Sequence, residues 1–239
     1  MRKCLTLFQI SGGTKLTLHG RNLNAGTNVT VKIGSVPCIV LPRNSSSSLS
    51  CVLGAAPAPG TVNLIELEID SAVTRMTTSF EFRPDPTVFN VTPQKVWRSG
   101  GKPLIVEGKN FDSVLSARIF LLGSTNPSAE IVSEAATCQI INATIMHCLS
   151  PGIIHSDRTS LKYSRYPVGF SMDAVGTLRN LGPRIQLAVH PDPQLTPFHG
   201  ARIHQPNQPL ILDGLHLNEA AEPNDYKVGS LYFLKTRKI

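Results

Sequence analysis

Cysteine is the residue type in this chain that points most clearly to a chemical role. Five cysteines occur, at positions 4, 38, 51, 138 and 148, and strand-like residues flank a turn within each of the two near pairs. We predict two disulfides between neighbouring strands, Cys38–Cys51 and Cys138–Cys148, each contributing about 3 kcal/mol on the chain-entropy model. Free buried thiols in a cytosolic protein are the alternative. Cys4 has no partner within the chain.

Asparagine offers the second kind of chemistry, because Asn-x-Ser/Thr triplets are acceptors for N-linked glycans. Four such triplets are present, at Asn28, Asn44, Asn90 and Asn142. Asn28 and Asn44 lie beside polar turn residues, whereas Pro93 follows the Asn90 triplet closely and is expected to lower its use. Paired cysteines together with several glycan acceptors favour the secretory route.

The histidines and glycines do not form a catalytic pattern. Seven histidines are present, yet the sequence contains no H-E-x-x-H, G-x-S-x-G, P-loop or G-x-G-x-x-G motif. A zinc site is not expected, because no C-x-x-C occurs and His147 beside Cys148 is the one close Cys-His pair. We therefore expect no catalytic residue, no metal and no cofactor.

An internal repeat supplies the elements that would position these residues. The stretches "SGGTKLTLHGRNL" at 11–23 and "SGGKPLIVEGKNF" at 99–111 match each other, and "PLILDGLHLNEA" at 209–220 is a looser third copy. Alternating apolar residues in each copy predict a strand with one buried face. The glycine that follows predicts a bulge or a positive-φ bend, and it is Gly20, Gly108 or Gly214.

Further short alternating segments follow each copy, and no window of twelve or more residues keeps a helical period. In "IELEID" we expect Ile65, Leu67 and Ile69 to face inward. His19 stands where the other copies have Glu107 and Asp213, which indicates a solvated strand face. The chain is thus predicted to be all-β and built from sandwiches.

Proline-rich segments mark the boundaries between the repeated units. Pro-Asp-Pro occurs at 84–86 and again at 191–193. Because proline fixes φ, consecutive units are expected to meet at a restricted angle. We predict three domains: residues 1–86, residues 87–190 and a partial unit at 191–239. Trp97 is expected to be a partly packed aromatic near a domain junction, the alternative being a binding hot spot.

The repeat resembles the IPT/TIG immunoglobulin-like domain, through "GGTKLTLHGRNL", "VKIGSVPC" and Cys51 in the first copy. The second copy, "VTPQKVWRSGGKPLIVEGKNF" with "CQIINATIMHCLSPG", looks like the next domain of the same kind. "VGFSMD" and the following Pro-Asp-Pro joint are similar to plexin ectodomains in particular. The resemblance covers roughly residues 11–228, and the sequence departs from the family pattern before it and after it.

The resemblance implies tandem IPT/TIG sandwiches, the last one incomplete, in the extracellular part of a single-pass plasma-membrane receptor. Such a segment would be a rigid spacer between a ligand-binding head and the membrane, in semaphorin–plexin signalling and axon guidance. Its partners would be neighbouring receptor domains, and semaphorin would bind through a head domain outside this chain. No membrane insertion by this segment is expected, because no stretch is apolar for long enough, nor is a signal peptide recognised.

Two other functions are compatible with the sequence. The net charge of +7 and pI near 9.3 suit a DNA-binding IPT/TIG module of a Rel-like transcription factor, which would need reduced cysteines and a basic patch. Lys and Arg are scattered singly along the chain, so no nucleic-acid partner is predicted. A carbohydrate-associated module of an enzyme would need a carboxylate pair or an aromatic platform, and neither is evident.

Overall fold

The computed structural model describes residues 6–126, 128–154, 163–196 and 213–220. These residues form β-strands joined by turns and by short 3-10 segments, as the alternating patterns predict. Two large curled sheets, of seven and eight strands, are followed by a small two-stranded pair. The tandem, all-β immunoglobulin-like organisation predicted from the sequence is confirmed.

The first sandwich is a curled sheet of seven strands. Its strand order is β1-β7-β6-β3-β4-β5-β2, with β1 parallel to β7 and the remaining neighbours antiparallel. The strands are β1 (Thr6–Gln9), β2 (Lys15–His19), β3 (Val29–Ile33), β4 (Val36–Val40), β5 (Ser48–Leu53), β6 (Gly60–Ile69) and β7 (Ala72–Arg83).

The second sandwich repeats this order and adds one strand. Its order is β8-β10-β13-β12-β11-β14-β15-β9. The strands are β8 (Thr87–Thr92), β9 (Lys95–Trp97), β10 (Pro103–Lys109), β11 (Ala117–Leu121), β12 (Ala136–Ile140), β13 (Ile145–Leu149), β14 (Ser164–Met172) and β15 (Gln186–His190). Its 3-10 segments are Phe111–Ser113, Gly176–Leu178 and Gly182–Arg184.

The two sandwiches correspond strand by strand. β9 pairs parallel with β15 just as β1 pairs parallel with β7, and Val96 and Phe8 fill equivalent buried positions. β10 is the counterpart of β2. β8 flanks β10 and has no counterpart among the described residues of the first sandwich.

Each sandwich buries its own apolar core, because successive side chains of a strand point to opposite faces. In β10, Leu104 and Val106 are 1% and 0% exposed, while the residues on either side of them are exposed. Separate buried clusters surround Phe8 in the first sandwich and Phe111 in the second. Strict alternation in the sequence therefore marks the inward face correctly.

In the "IELEID" segment, the inward-facing side chains are less deeply buried than alternation suggests. Ile65 is buried, whereas Leu67 and Ile69 are half-buried, and so are Glu66 and Glu68. The segment lies in the long β6–β7 hairpin, which ends at an exposed turn around Asp70 and Ser71. The expectation that all three apolar side chains face inward is thus correct for Ile65 and only partial for the other two.

The repeated turns have the backbone conformations that their residues predict. Asn22, Asn110 and His216 occupy equivalent positions and have φ of 56°, 59° and 61°. A short polar side chain tolerates this left-handed region by bonding locally. The pairing of β8 with β10 shifts register between Glu107 and Gly108, which confirms the predicted bulge in the second copy.

The third unit is described only in part. β16 (Gln194–Leu195) pairs antiparallel with β17 (Gly214–Leu215) in the way that the start of β8 pairs with the end of β10. The rest of the predicted partial domain at 191–239 lies largely outside the described residues.

Both predicted disulfides are present in the structure. Cys138 and Cys148 lie directly opposite each other on β12 and β13, with an S–S distance of 2.03 Å. Cys38 on β4 bonds Cys51 on β5 with an S–S distance of 2.10 Å. All four cysteines are buried, so each bridge joins neighbouring strands inside its own sandwich.

Replacing the bridge of the second sandwich (Cys138→Ala with Cys148→Ala) is expected to lower its free energy of unfolding by about 3 kcal/mol. The loss arises because a closed loop no longer restricts the unfolded chain. Chemical denaturation followed by intrinsic fluorescence measures it. Cys4→Ala, which leaves both bridges intact, is the control, and an equal loss in the control would contradict the prediction.

Candidate functional site

The segments that join one unit to the next are the places where polar side chains converge. At the first joint, Pro84, Asp85 and Pro86 connect β7 to β8. The carboxylate of Asp85 accepts the backbone N–H of Ser11 at 3.0 Å, and the Ser11 hydroxyl donates to its other oxygen. The linker is thereby tied back to the sandwich that it leaves.

The second joint repeats this contact. Asp192, between Pro191 and Pro193, accepts the backbone N–H of Ser99 at 2.9 Å. Ser99 and Ser11 are the same residue of the repeat, each placed immediately before the two glycines of the turn. An acid between two prolines can accept the bond at a fixed place, because each proline locks its own φ.

A second contact reaches forward from the first joint into the next sandwich. Arg83, the last residue of β7, donates to Asp112 in the 3-10 segment at 2.9 Å and to Glu81 at 3.2 Å. The hydrogen bond that Arg83 donates to Glu81 is the main cause that raises the pKa of Arg83, and the charge of Asp112 adds to it. The amide of Asn110 also donates to the carbonyl oxygen of Pro84 at 3.1 Å.

At the second joint a histidine and a glutamate replace this arginine–aspartate pair. His190 ends β15 as Arg83 ends β7, and its Nδ1 lies 3.1 Å from a carboxylate oxygen of Glu219. Nδ1 of His216 lies 2.8 Å from the other oxygen. These hydrogen bonds lower the pKa of Glu219, and the bond with His216 has the larger effect. The ring of Tyr163 stacks on that of His190, with centroids 5.2 Å apart.

The first joint has a further set of contacts along its side. The buried Gln9 side chain donates to the carbonyl of Met172 at 3.4 Å, and the hydroxyl of Thr14 lies 3.4 Å from Asp173. Asp173 also accepts the N–H groups of Leu115 and Ser116 at 3.0 and 3.2 Å. Burial raises the pKa of Asp173 even though these bonds oppose the shift. Asp173 is therefore one of the residues through which the end of β14 and the loop after it contact the first sandwich.

Close backbone packing completes this side of the joint. Gly13 has φ of 81°, and a Cβ at that position would overlap the backbone and side chain of Ala174. Gly101, its counterpart in the second sandwich, has the same φ, and nothing lies within 4 Å of its Cβ direction. Glycine at 13 thus serves both the turn and the approach of the neighbouring sandwich, whereas glycine at 101 serves the turn.

The four predicted glycan acceptors differ in their surroundings. Asn28, Asn44 and Asn142 are exposed. Asn90 lies on β8, is half-buried and donates from its amide to Glu107 at 3.2 Å. The Asn142 side-chain oxygen accepts bonds from the backbone and hydroxyl of Thr144. Exposure thus separates the other three acceptors from Asn90, which is also the one whose use Pro93 is expected to lower.

The remaining residues singled out from the sequence take no part in the joint contacts, although Trp97 is paired with His190. His19, Glu107 and Asp213 are exposed, as expected for a solvated strand face, and Trp97 is half-buried beside His190 in the β9–β15 pair. Within the described ranges, no three His, Cys, Asp or Glu side chains converge as metal ligands. In the same part of the chain, no helix is long and apolar enough to cross a bilayer.

Sequence reasoning found the proline joints and missed the residues that secure them. The partners Ser11 and Asp85 are 74 positions apart, and no motif of known spacing links that serine to that aspartate. Their one signal was repetition, since a serine precedes each Gly-Gly turn and an acid sits between each pair of prolines.

Comparisons with known proteins agree with this architecture. The IPT/TIG domain model matches residues 6–82. Plexin-2 of Caenorhabditis briggsae is 43% identical over 92% of this chain, and Plexin-2 of Caenorhabditis elegans is 41% identical over the same share. The chain spans 12% of the length of each of these relatives. A solved structure of the full extracellular region of Plexin A4 aligns with a TM-score of 0.67 at 27% identity, over 81% of this chain and 16% of that one.

The fold and the family match define the class of protein, a tandem array of immunoglobulin-like β-sandwiches of the IPT/TIG type. Within this class, the predicted resemblance to plexin ectodomains is confirmed by the relatives and by the aligned extracellular structure. The chain is a plexin-like IPT/TIG segment.

Gly13→Ala is expected to loosen the first joint, because the added methyl group overlaps Ala174. Gly101→Ala is the matched control, since both glycines have φ of 81° and both variants incur a backbone strain of about 1 kcal/mol. Small-angle scattering should show a broader distribution of interatomic distances for Gly13→Ala alone. Equal scattering curves for the two variants would show that close packing at Gly13 does not hold the joint.

Proposed function

We propose that this chain is an extracellular stalk segment of a plexin-like semaphorin receptor, where it serves as a rigid spacer between a ligand-binding head and the membrane. The observation that carries the proposal is the repeated joint. Each Pro-Asp-Pro carboxylate bonds to the sandwich before it, and the residue before each joint bonds to an acid in the unit after it. A chain that only linked its domains would not need the same two contacts at both joints.

The rigidity would come from several modest effects acting together. Exposed ion pairs such as Arg83–Asp112 contribute about 0–1 kcal/mol each. Two prolines per joint restrict the linker, the aspartate fixes its direction, and the Gly13–Ala174 packing excludes one direction of bending. Because several contacts join the linker and the two sandwiches, a bend that breaks one of them would be opposed by the others.

The joint contacts support a division of the chain into three domains. We place them after Pro86 and after His190, so that the domains are 1–86, 87–190 and the partial unit 191–239. The buried disulfides and the exposed Asn28, Asn44 and Asn142 favour an extracellular location with glycans at these positions. In this proposal the partners are neighbouring receptor domains, semaphorin binds elsewhere in the receptor, and the segment is structural and not enzymatic.

The spacer role is tested by making the first joint flexible. The triple variant Pro84→Gly, Asp85→Ser, Pro86→Gly should broaden the interdomain distance distribution measured by small-angle scattering. The control makes the same kind of change in an exposed Pro-Ala-Pro loop inside the first sandwich: Pro57→Gly, Ala58→Ser, Pro59→Gly. In the full receptor, the joint variant should keep semaphorin binding and lose signalling. A joint variant that scatters like the control would reject the spacer role.

The location is tested by mass spectrometry of the chain secreted from animal cells, without reduction. We expect both disulfides, and glycans at Asn28, Asn44 and Asn142 in higher occupancy than at Asn90. Glycosidase treatment provides the control for each glycan mass. Five reduced cysteines and no glycan would instead favour the DNA-binding alternative, which a mobility-shift assay with duplex DNA would then examine.

A further inference from the structure

Basic side chains that are far apart in the sequence meet on one outer face of the second sandwich. Leu187 and Val189 of β15 belong to the core, so Ala188 between them points outward. Ala188 pairs with Arg165 of β14 on one side and with Lys95 of β9 on the other. Residues directly opposite each other on neighbouring strands share a face of the sheet. Two exposed cations therefore flank one small side chain.

A third cation lies close to this pair. Arg184 is exposed and ends the 3-10 segment that leads into β15. Because neighbouring strands lie about 4.8 Å apart, the backbones of Arg165 and Lys95 are separated by roughly 10 Å. Arg184 is a few residues before Ala188 in the chain and lies within about 14 Å of it. We call the surface formed by Lys95, Arg165, Arg184 and Ala188 the basic face.

The charge of the basic face is not compensated within the described part of the chain. β9, β14 and β15 contain no aspartate or glutamate. None of the three cations forms an ion pair or a side-chain hydrogen bond with a described residue. The carboxylates of the second joint are already engaged, Asp192 by the N–H of Ser99 and Glu219 by two histidines.

The first sandwich has the same strand arrangement without such a face. The positions that correspond to the two cations and the alanine are held by Leu7, Thr61 and Glu81, in the same register. The glutamate there accepts a hydrogen bond from Arg83. The strand pairing thus does not require cations at these positions, and isolated surface charges add little to stability. This comparison favours a role in binding.

We propose that the basic face binds a sulfated polysaccharide, with sulfate groups at Lys95 and Arg165. Exposed ammonium and guanidinium groups form charge-assisted hydrogen bonds with oxyanions. Beyond the cations, Tyr163 is stacked on His190 and remains 57% exposed, so its ring is available to a sugar. A polysaccharide is favoured over a nucleic acid because of the extracellular location proposed above, on which this choice of ligand rests.

The test measures the affinity of the full chain for a heparin hexasaccharide. Replacing both flanking cations (Lys95→Gln with Arg165→Gln) should weaken binding about tenfold, because two charge-assisted contacts are lost. Raising the salt concentration from about 0.15 M to about 1 M should also abolish binding by the unmodified chain, since salt screens exposed charges. No binding by the unmodified chain at the lower salt concentration would overturn the proposal.

The matched control is Lys15→Gln with Arg21→Gln, which removes one lysine and one arginine from exposed positions of the first sandwich. Its affinity should remain within about twofold of the unmodified chain, because charges farther than a Debye length are screened. Equal losses in the two double variants would show that only net charge matters. That result, or tighter binding to duplex DNA than to heparin, would overturn the proposal.

A second measurement needs no variant. The amide resonances of β9, β14 and β15 should shift when the unmodified chain is titrated with the hexasaccharide, and should not shift with its desulfated form. Shifts confined to the first sandwich, or equal shifts with both sugars, would count against the basic face. Failure here would leave the spacer role and the location standing, since scattering and mass spectrometry test those separately.

Discussion

The carboxylate held between two prolines is the constraint on which the arrangement of the units depends. Asp85 and Asp192 accept the backbone N–H of the serine that opens each Gly-Gly turn. Proline has no N–H and a fixed φ, so the linker can neither join a sheet by its own donors nor rotate freely about that bond. The hydrogen bonds that the carboxylate accepts then tie each linker to the sandwich that it leaves.

The two joints use the same geometry with different charges. Arg83 keeps its charge at any physiological pH, because a guanidinium is always protonated in proteins. Arg83 faces Asp112 in one joint, and His190 shares Glu219 with His216 in the other. The bonds that lower the pKa of Glu219 keep its carboxylate ionised, and both imidazoles can donate to it through Nδ1–H. The second joint thus keeps a bond between the residue before Pro-Asp-Pro and an acid of the next unit, with an imidazole in place of the guanidinium.

The pattern of apolar residues in the sequence predicts most of the secondary structure of each sandwich. Alternation located the strands, and the repeated glycine located the bulge in the second copy, since both depend on neighbours within a few residues. The "IELEID" segment shows the limit of this reasoning. Alternation reports which face a side chain is on, but depth depends on how far the β6–β7 hairpin extends beyond the sandwich. Leu67 and Ile69 therefore lie on an apolar face without full burial, while Ile65 reaches the core.

By itself the sequence determined the all-β fold, the disulfide partners and the proline joints. These properties follow from local periodicity, from cysteine spacing and from residues that restrict φ. Only the tertiary structure decided which polar groups secure the joints and which sheet edge has no neighbouring strand among the described residues. Ser11 meets Asp85, and Thr14 meets Asp173, across 74 and 159 positions. These polar residues have no periodic signal, so their pairing is set by the fold of each sandwich and by how the next one approaches it.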